Sequence, residues 1–186
     1  LCSGLRVSFV DNTASEEKSQ SEEWIFEDGL IDYLTQATAD YETLPKEPFF
    51  GSVQGGDEAV DWAIQWLPEG GETTGESYVN LIPTPLGGTH VSGLRTGLLD
   101  ALREFCEFRN LLPRGLKLTS DDIWDKCSYV ISSKLLDPQF SGQTKERLSS
   151  RQCAAFVSGI IKDSFGHWLN QHTDEAELIA ELCISN

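Results

Sequence analysis

Three short constellations in this chain carry side chains suited to chemistry. The stretch Asp137-Pro138-Gln139-Phe140-Ser141-Gly142-Gln143-Thr144-Lys145-Glu146-Arg147 sets an amide, a hydroxyl and an ammonium side by side on a polar tip. Pro138 and Gly142 interrupt regular structure there, so Gln143, Thr144 and Lys145 sit on a loop. Lysine is a compact, strongly hydrated charge on a flexible stem, the kind used against a terminal phosphate. The tripeptide is common, and alone it names no ligand. The second constellation is Gly87-Gly88-Thr89-His90 at a predicted helix start, where free N–H groups and the helix dipole suit an anion. The same residues equally suit plain helix capping. No serine or cysteine nucleophile pairs with His90 by spacing, which leaves it a weak catalytic candidate. The third is the set Arg95, Arg103, Arg109, Arg114 and Lys117. Its arginines do not fall cleanly on one helix face, which weakens the case for a continuous nucleic-acid-binding stripe.

Several other chemistries leave no trace. No Ser-His-Asp arrangement, Walker-type loop or GxGxxG stands out. The five cysteines (2, 106, 127, 153 and 183) form no CxxC pair, and the three histidines (90, 167 and 172) show no metal-ligand spacing with them. No metal site is expected. Free thiols in a reducing cytoplasm are the simplest reading, with Cys106, Cys153 and Cys183 on apolar stripes as small core residues.

The elements that must position these groups follow from periodicity. Residues 3–10 alternate as a strand, a polar acidic loop follows, and residues 22–28 form a short strand. A helix is predicted near 29–39, with Leu30, Tyr33, Leu34 and Ala37 on one face. A strand near 48–53 precedes the clearest one, EAVDWAIQW, where Val60, Trp62, Ile64 and Trp66 alternate strictly while Asp61 and Gln65 point the other way. ESYVNLIPT reads as one further strand. A long helix opens after Gly88, with Thr89 as its N-cap. A short helix in LTSDDIW, a strand in CSYVISSKLLDP, a long helix over about 149–170 and a last helix capped by Thr173 complete the chain. The order implies an α+β domain with a mixed or antiparallel sheet covered by helices on one side.

The length of 186 residues, with five Trp and nine Phe, supports one globular unit. No apolar run is long enough to span a bilayer. The absence of an initiator Met, and of any Met, points to a piece cut from the interior of a longer chain. The net charge of −16 argues against a general nucleic-acid binder. That charge is uneven: residues 1–94 hold 3 basic and 17 acidic side chains, residues 95–162 hold 11 and 8, and residues 163–186 hold 0 and 5.

The runs YVNLIPTPLGGTHVSGLRTGLLDALREFCEFRNLLPRG and DPQFSGQTKERLSSRQCAAFVSGIIKD together resemble the second domain of the B subunit of bacterial type IIA DNA topoisomerases. NLIPT before GGTH and RQCAAFVSG after the Gln-Thr-Lys loop favour the ParE family of topoisomerase IV over the GyrB family. The resemblance runs from about residue 24 to the end. It implies that residues 1–23 are the tail of a GHKL ATP-binding domain and a linker, and that residues 24–186 are a transducer domain. The implied fold is ribosomal protein S5 domain 2-like, with a mixed sheet, helices on one face and a left-handed crossover, against the general rule for parallel connections.

The resemblance also implies roles. Gln143, Thr144 and Lys145 are expected to contact the terminal phosphate of ATP, with Lys145 stabilising charge in the transition state. Arg95 is expected beside the cavity through which DNA passes. ATP with Mg2+ would be bound mostly by the preceding domain, and the isolated piece would hydrolyse nothing. Implied partners are DNA, the A subunit of topoisomerase IV (ParC) in a heterotetramer, and a second copy of the B subunit, in the bacterial cytoplasm at the nucleoid. Two competing expectations are a stand-alone S5-like nucleic-acid-binding module without catalysis, and a small-molecule transferase built on the Gly87-Gly88 turn and His90.

Overall fold

The computed structural model describes residues 29–185. The strands expected at 3–10 and 22–28, and the boundary at residue 23, lie outside them.

Alternation along the strands sorts the side chains into two layers. The elements are α1 (residues 29–37), β1 (Leu44–Gly55), β2 (Glu58–Trp66), β3 (Gly75–Val79), β4 (Ile82–Pro83), α2 (Thr89–Phe108), α3 (Ser120–Trp124), β5 (Cys127–Leu135), α4 (Arg151–Gln171) and α5 (Thr173–Ile184). The described strands form one sheet in the order β1-β2-β5-β3-β4. The β1–β2, β2–β5 and β3–β4 pairs are antiparallel, and β3–β5 is parallel. The mixed sheet expected from the sequence is present. Val60, Trp62, Ile64 and Trp66 enter the main core beneath α2, α4 and α5, while Ala63 and Val130 point to the opposite face and pack on Leu30 and Leu34 of α1. The long helices thus form one layer, and α1 adds a partial cover on the other side.

Asp61 and Gln65 do face away from the main core, yet both are buried. The Gln65 amide makes that burial tolerable. It donates to the carbonyls of Pro45 and Lys46 at 3.3 Å and accepts from the Thr38 hydroxyl at 3.2 Å. These bonds occupy the place where the β1–β2 ladder shifts register between Leu44 and Phe49, satisfying carbonyls the ladder leaves unpaired.

Three local expectations need correction. ESYVNLIPT is not one strand: Asn80 and Leu81, at φ 49° and 67°, turn it into the β3–β4 hairpin. The Asn80 amide holds that turn by bonding both Leu135 N–H (2.9 Å) and Leu135 C=O (3.0 Å). Thr89 is not the cap of α2, because Gly88 precedes it as N-cap and no side chain caps the helix. Nor does Thr173 cap α5, since α4 runs almost directly into α5 through His172, whose carbonyl accepts from Ala176 N–H at 2.8 Å. The short helix α3, by contrast, has a full capping box between Thr119 and Asp122.

The two long helices approach unusually closely. A side chain at Gly93 would lie 2.7 Å from the carbonyl of Ala154, and one at Gly97 would lie 2.8 Å from both Ile161 Cβ and the Ser158 carbonyl. Advancing along α2 from 93 to 97 advances the contact along α4, so the helices run parallel. Both N-termini therefore lie at the same end of the domain.

Candidate functional site

That shared end carries the Gln143-Thr144-Lys145 loop. Phe140 and Leu148 form an antiparallel bridge, and Ser141 N–H donates to the Arg147 carbonyl at 2.9 Å, closing the loop at its base. Gly142 at φ 80° and Lys145 at φ 56° make its bends. Gln143, Thr144 and Lys145 are all exposed. The Thr144 hydroxyl donates to the Glu146 carboxylate at 3.1 Å, which gives that carboxylate a partner beside the lysine. A non-glycine residue in the left-handed region costs about 1–2 kcal/mol, and such strain concentrates at functional positions.

The second candidate constellation turns out to be the floor beneath the first. Leu86 N–H donates to the Glu146 carbonyl (3.0 Å), Leu148 N–H to the Gly87 carbonyl (3.0 Å), and Thr89 N–H to the Leu148 carbonyl (3.1 Å). Gly88 and Leu148 form a parallel bridge. The first N–H of α2 is thus taken up by loop backbone. Nothing in the local sequence signals this pairing of two distant segments.

His90 is sealed in and not available as a catalyst. It is fully buried, with Nε2 at 3.1 Å from the Thr84 hydroxyl, which lies 2.7 Å from the Ser77 hydroxyl. The chain of side chains ties the first turn of α2 to β3. Desolvation lowers the His90 pKa to about 4. Between roughly pH 6.5 and 4 the unfolded chain therefore binds a proton that the folded chain does not, so stability falls as pH drops through that window and is unaffected above it. The shift corresponds to at most roughly 3 kcal/mol. We expect His90→Gln to flatten the stability curve between pH 6.5 and 4 in urea titrations. A wild-type slope retained in the variant would assign the loss to other groups.

The basic cluster is mostly spent internally. Arg95 bonds Asp121 at 2.7 Å and lies over the Trp124 ring at 5.2 Å. Arg103 donates through Nε to the Leu118 carbonyl at 2.9 Å, and Arg109 pairs with Glu177 at 3.1 Å. The Arg95 and Arg103 contacts fasten the segment after α2 back onto it, and Arg109 ties α2 to α5. Arg114 and Lys117 remain exposed. A stand-alone nucleic-acid module would need Arg95, Arg103 and Arg109 outward and unpaired as well.

No group of three or more His, Cys, Asp or Glu among the described residues is arranged to hold a metal ion. Cys106, Cys127, Cys153 and Cys183 are free and buried. Burial pushes their thiol pKa values up, to about 11 for Cys106 and about 12 for Cys153 and Cys183, so they stay protonated and inert at neutral pH. No helix among the described residues is long and apolar enough to cross a membrane.

The fold is an α+β domain with an exposed lysine loop at the paired N-termini of two parallel helices, and its sequence relatives place it among the B subunits of type IIA topoisomerases. The chain belongs to the DNA gyrase B family, whose model matches residues 29–186. It is 63% identical over all 186 residues to the B subunit of DNA topoisomerase 4 from Haemophilus influenzae and 61% identical to that from Escherichia coli, spanning 29% of the length of each. A solved structure of the topoisomerase IV ATP-binding domain of Francisella tularensis with a small-molecule inhibitor is 41% identical, with a TM-score of 0.76 over 84% of this chain and 42% of that one. The 43K ATPase domain of Thermus thermophilus gyrase B has the same fold, at a TM-score of 0.76 and 23% identity over 84% of this chain and 42% of that one.

Proposed function

We propose that this chain is the transducer part of a topoisomerase IV-type B subunit, with residues 1–23 the tail of the ATP-binding domain and linker and residues 24–186 the transducer domain. Lys145 reads the terminal phosphate of ATP held by the preceding domain, and Gln143 and Thr144 complete the contact. The observation that carries this reading is the exposed Lys145, held left-handed on a closed loop at the common N-terminal end of α2 and α4. An ammonium, an amide and a hydroxyl there match the charge and hydrogen-bonding needs of a phosphoryl group. Mg2+ arrives with the nucleotide and is held outside the described residues.

Contact with the phosphate docks this domain on the ATP-binding domain, and loss of the phosphate frees it, an order–release switch of a familiar physical kind. In the intact enzyme this couples hydrolysis to passage of one DNA duplex through another, with an A subunit and a second copy of the B subunit as partners, in the bacterial cytoplasm at the nucleoid. Arg95 borders the DNA passage with the 32% of its side chain that stays exposed. The loop's own exposure supplies a test. In the full-length protein, trypsin is expected to cut after Lys145 or Arg147 in the apo and ADP states, and a non-hydrolysable ATP analogue is expected to protect both bonds. Equal cleavage in all three states would contradict the reading.

A further inference from the structure

We infer that Gly88 is a positioning residue for Lys145: its missing side chain lets the Leu148 backbone dock on the start of α2 and so fixes the base of the lysine loop. This rests on the phosphate-reading role proposed for Lys145. Gly88 has φ 140° and ψ −157°, a backbone region essentially closed to residues with a Cβ. A Cβ there would lie 2.5 Å from Leu148 N and 2.8 Å from Leu148 Cα, and closer still to the Leu148 carbonyl oxygen. These are backbone atoms, which cannot swing aside as a flexible side-chain end can. They are also the atoms in use: Leu148 N–H bonds Gly87 C=O at 3.0 Å, and Leu148 C=O accepts from Thr89 N–H at 3.1 Å. A methyl group at 88 therefore wedges both bonds apart. Leu86 N–H to Glu146 C=O, at 3.0 Å, is the bond nearest the lysine and shares the same turn.

The turn does not yield in compensation. It is held from below by Gly87 N–H to Thr84 C=O at 2.9 Å and by the buried Ser77, Thr84 and His90 chain. The displacement must fall on the loop. Because Lys145 lies three residues from Leu148, a shift of the anchor of about an ångström misplaces the ammonium, and misplacement of that size costs on the order of a hundredfold in rate.

In the full-length protein, Gly88→Ala is expected to lower kcat for ATP hydrolysis about ten- to a hundredfold with KM changed less than about twofold. Gly97→Ala, which crowds α4 far from the loop, serves as the structural control and is expected to lower the melting temperature without lowering kcat. In a Lys145→Ala background, Gly88→Ala should cause no further loss, because both act through one ammonium. A near wild-type kcat in Gly88→Ala, or an equal further loss in the Lys145→Ala background, overturns the inference. Wild-type turnover in Lys145→Ala alone overturns the underlying reading instead. Should Gly88→Ala fail to fold, amide exchange on the wild-type full-length protein decides. An ATP analogue that slows exchange at Leu86, Thr89 and Leu148 together supports the clamp. Protection of the Lys145 bond from trypsin with those three amides unchanged refutes it.

Discussion

Trp66→Ala is expected to destabilise the domain by about 3–5 kcal/mol, among the largest single-residue losses the core can suffer. Trp66 is fully buried at the end of β2, stacks on Phe165 of α4 with ring centroids 5.9 Å apart, and donates its indole N–H to the Ile123 carbonyl at 2.9 Å. One side chain therefore joins the sheet, the long helix and the short helix α3. Truncation leaves a large cavity and an unpaired buried carbonyl, two separate penalties. Trp66→Phe separates them, since it keeps most of the apolar volume while losing the hydrogen bond. Urea unfolding should rank wild type above Trp66→Phe above Trp66→Ala, with a drop for the last of roughly 10 °C in melting temperature. A Phe variant as unstable as the Ala variant would mean that the hydrogen bond, not the volume, carries the loss.

The strand holding Trp66 is fully legible in the sequence, because four large apolar residues at strict period two admit no helical reading. The long helices are equally plain from their apolar stripes. What periodicity misses are features set by partners distant in sequence. Asn80-Leu81 lacks the glycine that marks a tight hairpin, and it turns because the Asn80 amide finds the end of β5. Thr89 has the right residue type for a cap, but Gly88 takes that position and the Leu148 carbonyl binds the Thr89 N–H from across the fold. Gln65 faces away from the main core as its position predicts, but periodicity does not show that it is buried there as a bracket for β1.

The candidate site is legible in its parts and not in its assembly. Gln143, Thr144 and Lys145 are visible as polar groups on a loop, and Gly87 and Gly88 as a sharp turn into a helix. Periodicity has no means of showing that the turn is the floor of the loop, because that relation consists of backbone hydrogen bonds and one missing Cβ. His90 misleads in the opposite sense: its residue type suggests chemistry, and its burial removes it. The resemblance to the topoisomerase B subunits, carried by the two long sequence runs, supplies the functional reading that local chemistry alone does not.

Lys145→Ala has the largest expected functional effect. In the role proposed for it, Lys145 brings one cation to the place where charge develops on the transferring phosphoryl group, and removing such a donor typically lowers kcat about a hundred- to a thousandfold. The same reading assigns most contacts to the nucleotide to the preceding domain, so binding should survive. Lys145→Arg tests geometry, because a planar, longer guanidinium keeps the charge but not the reach, and an intermediate rate is expected. The most direct measurement is ATP turnover and nucleotide affinity determined side by side in the full-length wild-type and Lys145→Ala proteins. A fall in kcat of about a hundredfold or more, with affinity changed less than about tenfold, is the predicted result. Turnover equal to wild type in the variant would contradict the role assigned to this loop.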